Sequence, residues 1–472
     1  MHRREFLQLI AAASTTSLIS ARTYRDDFRW LEASIPHLQR AMEAKKLTSV
    51  ALTKAYLERI EKIDRKGTKI NSVIEVNPDA IEIARERDKE RKRGESRGLL
   101  HGIPVLLKDN IDTGDKMLTT AGSLALMQTK AERDAFFVGK LRALGAVILG
   151  KTNLSEWANF RSSRSTSGWS ARGGLTRNPY VLDRNTSGSS SGSAAAVAAN
   201  LCSVAVGTET DGSILSPSSY CGIVGLKPTV GLVSRTGIIP ISKTQDTAGP
   251  MTRTVEDAAI LLGAMAAIDP KDEATAESRG KVHDDYTIFL KADGLRGARI
   301  GIPRQHFRSR NEHVNRIIET ALMALKEGGA ELVDPIEMPS FGKIGDAESQ
   351  LMLYEFKDGI ERYLSTRGRD CKVKNLADLI AFNELNSDKE LAAFGQETFL
   401  RAQEKGPLTD KQYLEAVEKC RKLSREEGID ALMDEHKLDA IVVPSGGPAH
   451  RTDLVWGDRG TGGVSSPAAV SG

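Results

Sequence analysis

The stretch Thr186 to Ser219, TSGSSSGSAAAVAANLCSVAVGTETDGSILSPSS, decides the reading of this chain. It opens with a Gly/Ser loop at 187–193 and runs into an alanine-rich segment, which predicts a helix. Ser203 to Val206 is short and apolar and predicts a strand, and a second Gly/Ser turn follows at Gly212-Ser213. Two serine-bearing turns, each beside a regular element, can bring two hydroxyls together, as a hydrolase requires. A serine hydroxyl becomes a good nucleophile only when a base takes its proton. The stretch therefore asks where the base comes from.

Upstream of it, Leu31 to Asp64 has helical periodicity, with an N-cap region at Leu47-Thr48-Ser49. Ile70 to Val76 predicts a strand and Pro78 to Arg93 a helix. Gly102 to Lys108, GIPVLLK, has the pattern of a buried strand that ends in polar residues. Asp134 to Leu144 predicts a helix stopped by Gly145, with a strand at Ala146 to Leu149. Residues 161–188 read as a long Ser/Arg/Gly/Asn loop of the kind that covers a site. Beyond the opening stretch, Gly222 to Leu226 reads as a short strand, followed by a Gly-rich connection to Pro250 and a helix at Thr254 to Ala267. Asp269 to Asp285 is a charged, linker-like stretch. Ala298 to Pro303 predicts a strand, Asn311 to Glu327 a helix, 345–434 mostly helix, and Leu438 to Pro444 a buried strand. Strands alternating with helices define an α/β class with largely parallel strands.

At 472 residues the chain can bury a large core, and 66 basic against 63 acidic residues leave a formal charge of only +3. That balance gives no reason to invoke nucleic acid or a membrane surface. The mixed-charge run Arg85 to Arg97 reads as a solvated helix face. Arg3-Arg4 followed by the mildly apolar run Leu9 to Ala21 fits a cleavable export signal of the twin-arginine type over residues 1–22. The expected location is periplasmic, with a cytoplasmic protein as the alternative. Cys202, Cys221, Cys371 and Cys420 are too few and too scattered for a disulfide framework or a zinc spacing.

Two bases fit the serines. Gly188-Ser189-Ser190-Ser191-Gly192 matches GxSxG, a nucleophile elbow with Ser190 as nucleophile and a histidine as base. The residues before it, Leu182 to Ser187, are polar where an elbow needs a strand, and no histidine stands in a recognisable context. The other base is Lys108, at the end of Pro104-Val105-Leu106-Leu107. Burial there disfavours an ammonium and can lower a lysine pKa by several units from about 10.4, toward the range in which a general base works. A lysine that merely reaches off a strand end to solvent is the plainer reading of that position alone.

GIPVLLKDNID, GSSSGSAAAVAA, GTETDGSI and CGIVGLKPT together resemble the amidase signature family of Ser-Ser-Lys hydrolases. WANFRSS, STSGWSARGG and GIIPISKTQDTAGPM are most similar to its peptide amidase branch. The resemblance covers the chain from about Leu31 onward. It implies a large mixed, mostly parallel central sheet covered by helices on both faces. Residues 23–472 would then be one amidase domain, with a core at 68–268, a more variable helical part at 286–436 and a returning strand at 438–444. By position it implies Lys108 as catalytic lysine, Ser189 as the bridging serine on a cis peptide bond, and Ser213 as nucleophile, 24 residues after Ser189. It also implies an oxyanion hole of backbone N–H groups from Thr210, Asp211, Gly212 and Ser213. No cofactor and no metal are expected. The partner expected is a small-molecule or peptide amide, with no nucleic acid and no membrane association after export.

The chain departs from the family pattern in having Ser191 and Asp211 where glycine is usual and Leu215 where arginine is frequent. Asp211 would either repel anionic substrates or cap its turn. The ending SSPAAVSG, Ser465 to Gly472, stops where relatives continue, so the chain is expected to be C-terminally truncated. The expected function is hydrolysis of carboxamides, C-terminal peptide amides above all, to carboxylate and ammonia. One alternative is a glutamine-dependent amidotransferase component, which would predict the arginine that Leu215 replaces. Another is an esterase using Ser190. Trp157 to Gly174 and the helical region after 285 are expected on the substrate side, and Gly188 is expected to leave backbone room.

Overall fold

The apolar run ending at Lys108 forms an interior strand of the main sheet. The computed structural model describes residues 28–307, 311–459 and 463–472, and the export leader expected over 1–22 lies outside them. Its strands are β1 (Val73–Val76), β2 (Pro104–Lys108), β3 (Val147–Thr152), β4 (Trp169–Ser170), β5 (Gly174–Leu175), β6 (Val204–Glu209), β7 (Val224–Gly225), β8 (Thr247–Thr252), β9 (Arg299–Gly301), β10 (Glu331–Val333) and β11 (Ala440–Ile441). The main sheet has the order β1-β3-β2-β6-β8-β7. β2 runs parallel to both β3 and β6, whereas β1–β3, β6–β8 and β8–β7 pair antiparallel. Four of the six strands thus share one direction, as the α/β class predicts. β9, β10 and β11 form a separate parallel sheet, and β4 pairs with β5 as a two-stranded ribbon inside the expected loop.

β2, β3, β6 and β8 are buried at every residue. An interior strand needs apolar side chains on both faces, which explains the unbroken PVLL and VAV runs. The helices are α1 (Ile35–Glu43), α2 (Ser49–Arg59), α3 (Ala80–Lys92), α4 (Phe136–Ala143), α5 (Ser191–Ala198), α6 (Leu215–Tyr220), α7 (Val255–Met265), α8 (Glu312–Glu327), α9 (Gly345–Ser365), α10 (Leu376–Leu385), α11 (Ser387–Glu390), α12 (Glu397–Gln403), α13 (Lys411–Arg421), α14 (Ile429–His436) and α15 (Ser466–Val470). Their starts follow capping chemistry. The side chains of Ser34, Thr48, Thr254 and Asn311 each accept an N–H from the first turn of the helix they precede. α3 packs on β3, α5 on β6 and α7 on β8. Alanine at 194–196 lets α5 lie close to the sheet, and all three side chains are fully buried.

Four expectations need correcting. Thr247–Thr252, read as connection, is a strand, and Gly249 and Pro250 are what hid it. Gly249 has no space for a side chain, because a Cβ there would meet the Leu226 carbonyl oxygen at 2.1 Å. β6 extends to Glu209 rather than ending at Val206, so Thr208 and Glu209 belong to the sheet. Leu438 to Pro444 pairs only through Ala440–Ile441 and is half-exposed beyond Leu438. Asp269 to Asp285 is no free linker: Asp269 accepts from Ser234 Oγ at 2.6 Å, and Asp272 accepts from Arg235 Nε at 2.8 Å. Residues Glu32–Gly472 form one compact unit, and all four cysteines are buried free thiols.

Candidate active site

Lys108 is the last residue of β2 and is fully buried. Its register sets Leu107 beside Val206 of β6, so its ammonium reaches the next residues of that strand. Nζ donates to Ser189 Oγ at 2.7 Å, Thr208 Oγ1 at 2.9 Å, Ser190 Oγ at 3.0 Å and the Thr208 carbonyl at 3.1 Å. These partners are neutral. Burial pushes the lysine down to about 7, against an opposing pull from the Glu209 and Asp246 carboxylates. A lysine so placed exchanges a proton near neutral pH. Lys108 therefore does not reach off its strand to solvent.

Ser189 sits on a cis Gly188–Ser189 peptide bond, as the resemblance implies. Its carbonyl accepts the Ser155 N–H at 3.1 Å, and Ser155 Oγ accepts from Gly168 N at 2.9 Å. The glycine at 188 answers a close approach of side chains rather than leaving backbone room for substrate. A Cβ there would lie 2.1 Å from Ser155 Oγ and 2.9 Å from Ser167 Oγ. Ser190 precedes α5, is fully buried, and donates its hydroxyl to the Thr208 carbonyl at 3.0 Å. No strand leads into it and no histidine is among its hydrogen-bond partners, so the elbow geometry is absent.

The second serine turn leaves the end of β6. The Ser190 N–H donates to the Ser213 carbonyl at 3.1 Å, which fastens this turn to the loop bearing Ser189. Gly212 has φ +78°, a conformation that favours glycine. The buried Glu209 carboxylate accepts the N–H groups of Ile214 (2.7 Å) and Leu215 (2.9 Å) and also engages that of Gly212. Thr210 Oγ1 donates to Asp246 at 2.5 Å, and Asp246 accepts the N–H groups of Ile241 and Ser242. Ser213 is 8% exposed, whereas Ser189 is fully enclosed. The structure thus gathers Lys108, Ser189 and the Ser213 turn at the ends of β2 and β6.

Sequence reasoning missed the braces of this site. Thr208 supplies two of the Lys108 acceptors and receives Asn110 Nδ2 at 2.9 Å. The alternation of VAVGTE, with Val204, Val206 and Thr208 on one face, is the signal that could have marked it. Glu209, Asp246 and Ser155 carried no such signal. Trp157 and Arg161, at the start of the segment expected to face substrate, are buried instead. Trp157 packs on Phe399 at 5.9 Å between ring centroids, and Arg161 pairs with Glu156 at 2.5 Å. A cavity of about 1050 Å³ lies among Arg235, Lys243, Asp246, Tyr363 and Arg367, and Lys108, Ser189 and Ser213 do not line it. Among the described residues, no group of three or more His, Cys, Asp or Glu is placed to hold a metal ion. No helix of the described residues is long and apolar enough to cross a membrane.

The amidase family model matches residues 51–456, and this chain belongs to that family, whose members are amide C–N hydrolases. The solved peptide amidase from Stenotrophomonas maltophilia is similar at 51% identity and a TM-score of 0.88, over 94% of this chain and 89% of that one. A probable amidase of Arabidopsis thaliana is 44% identical over 93% of this chain and 85% of its own length. One subunit of the glutamyl-tRNA(Gln) amidotransferase of Carboxydothermus hydrogenoformans is 40% identical over 65% of this chain and 61% of its own.

The buried lysine has a stability signature. Its folded pKa of about 7 lies below the unfolded value of about 10.4, so the unfolded chain binds more protons between those limits. This group therefore adds stability as pH rises through that window. In Lys108→Met that increment is lost. Melting temperatures at pH 7 and pH 9 should differ less in the variant than in the wild type, and an equal or larger difference would contradict the assignment.

Proposed function

We propose that this protein hydrolyses C-terminal peptide amides or similar small carboxamides, releasing ammonia, with Ser213 as nucleophile, Ser189 as relay and Lys108 as base. The observation that supports this most is the 2.7 Å contact from Lys108 Nζ to Ser189 Oγ inside a fully buried site. Ser213 Oγ forms a bond to the amide carbonyl carbon while its proton passes through Ser189 to neutral Lys108. The carbonyl oxygen becomes an oxyanion held by N–H groups of the turn Thr210 to Ser213. Within that turn the Gly212 N–H is shared with Glu209. As the C–N bond breaks, the proton returns through Ser189 to the nitrogen, and ammonia leaves an acyl-serine. Water then attacks by the same relay, giving the carboxylate and restoring Ser213. Donors aimed at the oxyanion are worth about 3 kcal/mol each in comparable hydrolases, so bracing the turn matters as much as the nucleophile.

Two observations favour peptide amides over glutamine. Similarity to peptide amidases extends over 94% of the chain, against 65% for the amidotransferase component. Leu215 also stands where that reading predicts arginine. An ammonia-release assay across peptide amides, aryl amides and free glutamine tests the choice; turnover of glutamine but not of peptide amides would overturn it. Lys108→Ala and Ser213→Ala should each lower kcat on peptide amides by about 10³-fold or more, with far-UV circular dichroism unchanged. Ser190→Ala should keep measurable turnover. A dead Ser190→Ala beside an active Ser213→Ala would return the nucleophile to the elbow.

The reading places the enzyme in the periplasm through the Arg3-Arg4 leader. Replacing both arginines by lysine should retain a fused reporter in the cytoplasm; unchanged export would remove the twin-arginine assignment.

A further inference from the structure

Asp211 directly precedes Gly212-Ser213, and its carboxyl points toward the helical half of the molecule rather than into open solvent. Oδ2 accepts from Ser466 Oγ, at the start of α15, at 2.6 Å. Oδ1 is buried and receives no donor from any N–H or hydroxyl. Its neighbour is Glu348, in the first turn of α9, 5% exposed and hydrogen-bonded to Asp211. The other side of Glu348 is held by Gln245, whose Nε2 donates to Oε1 at 2.9 Å and reaches the Thr210 carbonyl at 3.4 Å. Two ionised carboxylates have no proton with which to bond each other, so one of the pair carries it.

We propose that Asp211 and Glu348 share one proton beneath the turn that carries Ser213, and that this pair is a positioning element limiting hydrolysis on the alkaline side. This rests on Ser213 being the nucleophile. The surrounding charges say where the proton sits. Lys227 faces Asp211 and Glu209, which favours a charged Asp211. Glu348 faces only Asp211, the neutral Gln245 and, from α13, the Cys420 thiol. Burial and the Asp211 charge push Glu348 up to about 7. With one proton shared, the carboxyl bond and the Gln245 bridge hold Thr210 and Asp211 against α9. Once that proton is lost, two like charges meet in a buried site, the bond that braces the turn is gone, and negative charge accumulates beside a forming oxyanion.

Asp211 thus neither simply caps its turn nor simply repels substrate. It couples the nucleophile to a helix more than a hundred residues away.

The test is the pH dependence of kcat and kcat/KM for peptide amide hydrolysis, from pH 5.5 to 10, in the wild type, Glu348→Gln and Asp211→Asn. The wild type should show an acid limb from Lys108 and an alkaline limb from the pair, losing at least tenfold across the latter. In Glu348→Gln the amide donates to Asp211 without a titratable proton, so the alkaline limb should move up by at least one pH unit while the acid limb stays. Asp211→Asn should move the same limb and serves if Glu348→Gln does not fold. A wild type without an alkaline limb below pH 9.5 would overturn the proposal. So would variants that lose activity equally at all pH with the limb unmoved. An absent acid limb would instead count against the lysine base, so the two failures are distinguishable.

Discussion

Everything in this fold that bears on chemistry depends on keeping the Lys108 amine out of water. Full burial of an ammonium without a carboxylate at hydrogen-bond distance is costly, and the protein meets that cost by making the neutral amine accessible near pH 7. The interior position of β2 provides the burial. The end of β6 provides the acceptors, since Thr208 offers both its hydroxyl and its carbonyl. Glu209 and Asp246 oppose the shift, yet each is engaged elsewhere, Glu209 on backbone N–H groups and Asp246 on Thr210, Ile241 and Ser242. The lysine therefore feels their field without forming an ion pair that would hold it charged.

The same two carboxylates give the site its rigidity. Glu209 closes the turn after β6 by accepting N–H groups of Ile214 and Leu215, and Asp246 ties Thr210 to the loop at 241–246. That loop is in turn fastened to α9, where Glu355 accepts from Ser242 Oγ at 2.5 Å and from Tyr413 at 2.7 Å. Leu353, Phe356 and Ile360 of α9 pack with Phe399 and Trp157 in one apolar cluster. Helices that look like a variable appendage in sequence are thus a second wall of the active site, joined to it by buried carboxylates. Apolar packing sets where α9 lies, and hydrogen bonds set what it holds.

How much of this was legible follows from distance along the chain. Lys108, Ser189 and Ser213 lie in short motifs whose spacing is informative, and the structure brings the first two into contact. The buried strands 104–108 and 147–152 announced themselves by unbroken apolar runs. β8 did not, because Gly249 and Pro250 carry the local signals of a turn while tertiary packing against β6 and β7 makes them a strand. Thr208 was hidden by ending the strand too early. Gln245 and Glu348 could not have been found, because nothing in their local sequence says that α9 returns to the nucleophile turn. Trp157 misled in the opposite way: an aromatic residue in a loop near the site reads as a substrate contact, yet its indole is core.

The central claim is that a neutral lysine works at physiological pH. The direct measurement is a titration of the Lys108 side-chain amine by heteronuclear NMR in protein carrying isotopically labelled lysine, assigned by its absence in Lys108→Met. The account predicts a resonance that titrates with an apparent pKa near 7, well apart from the exposed lysines. A Lys108 that stays protonated up to pH 10 would contradict it.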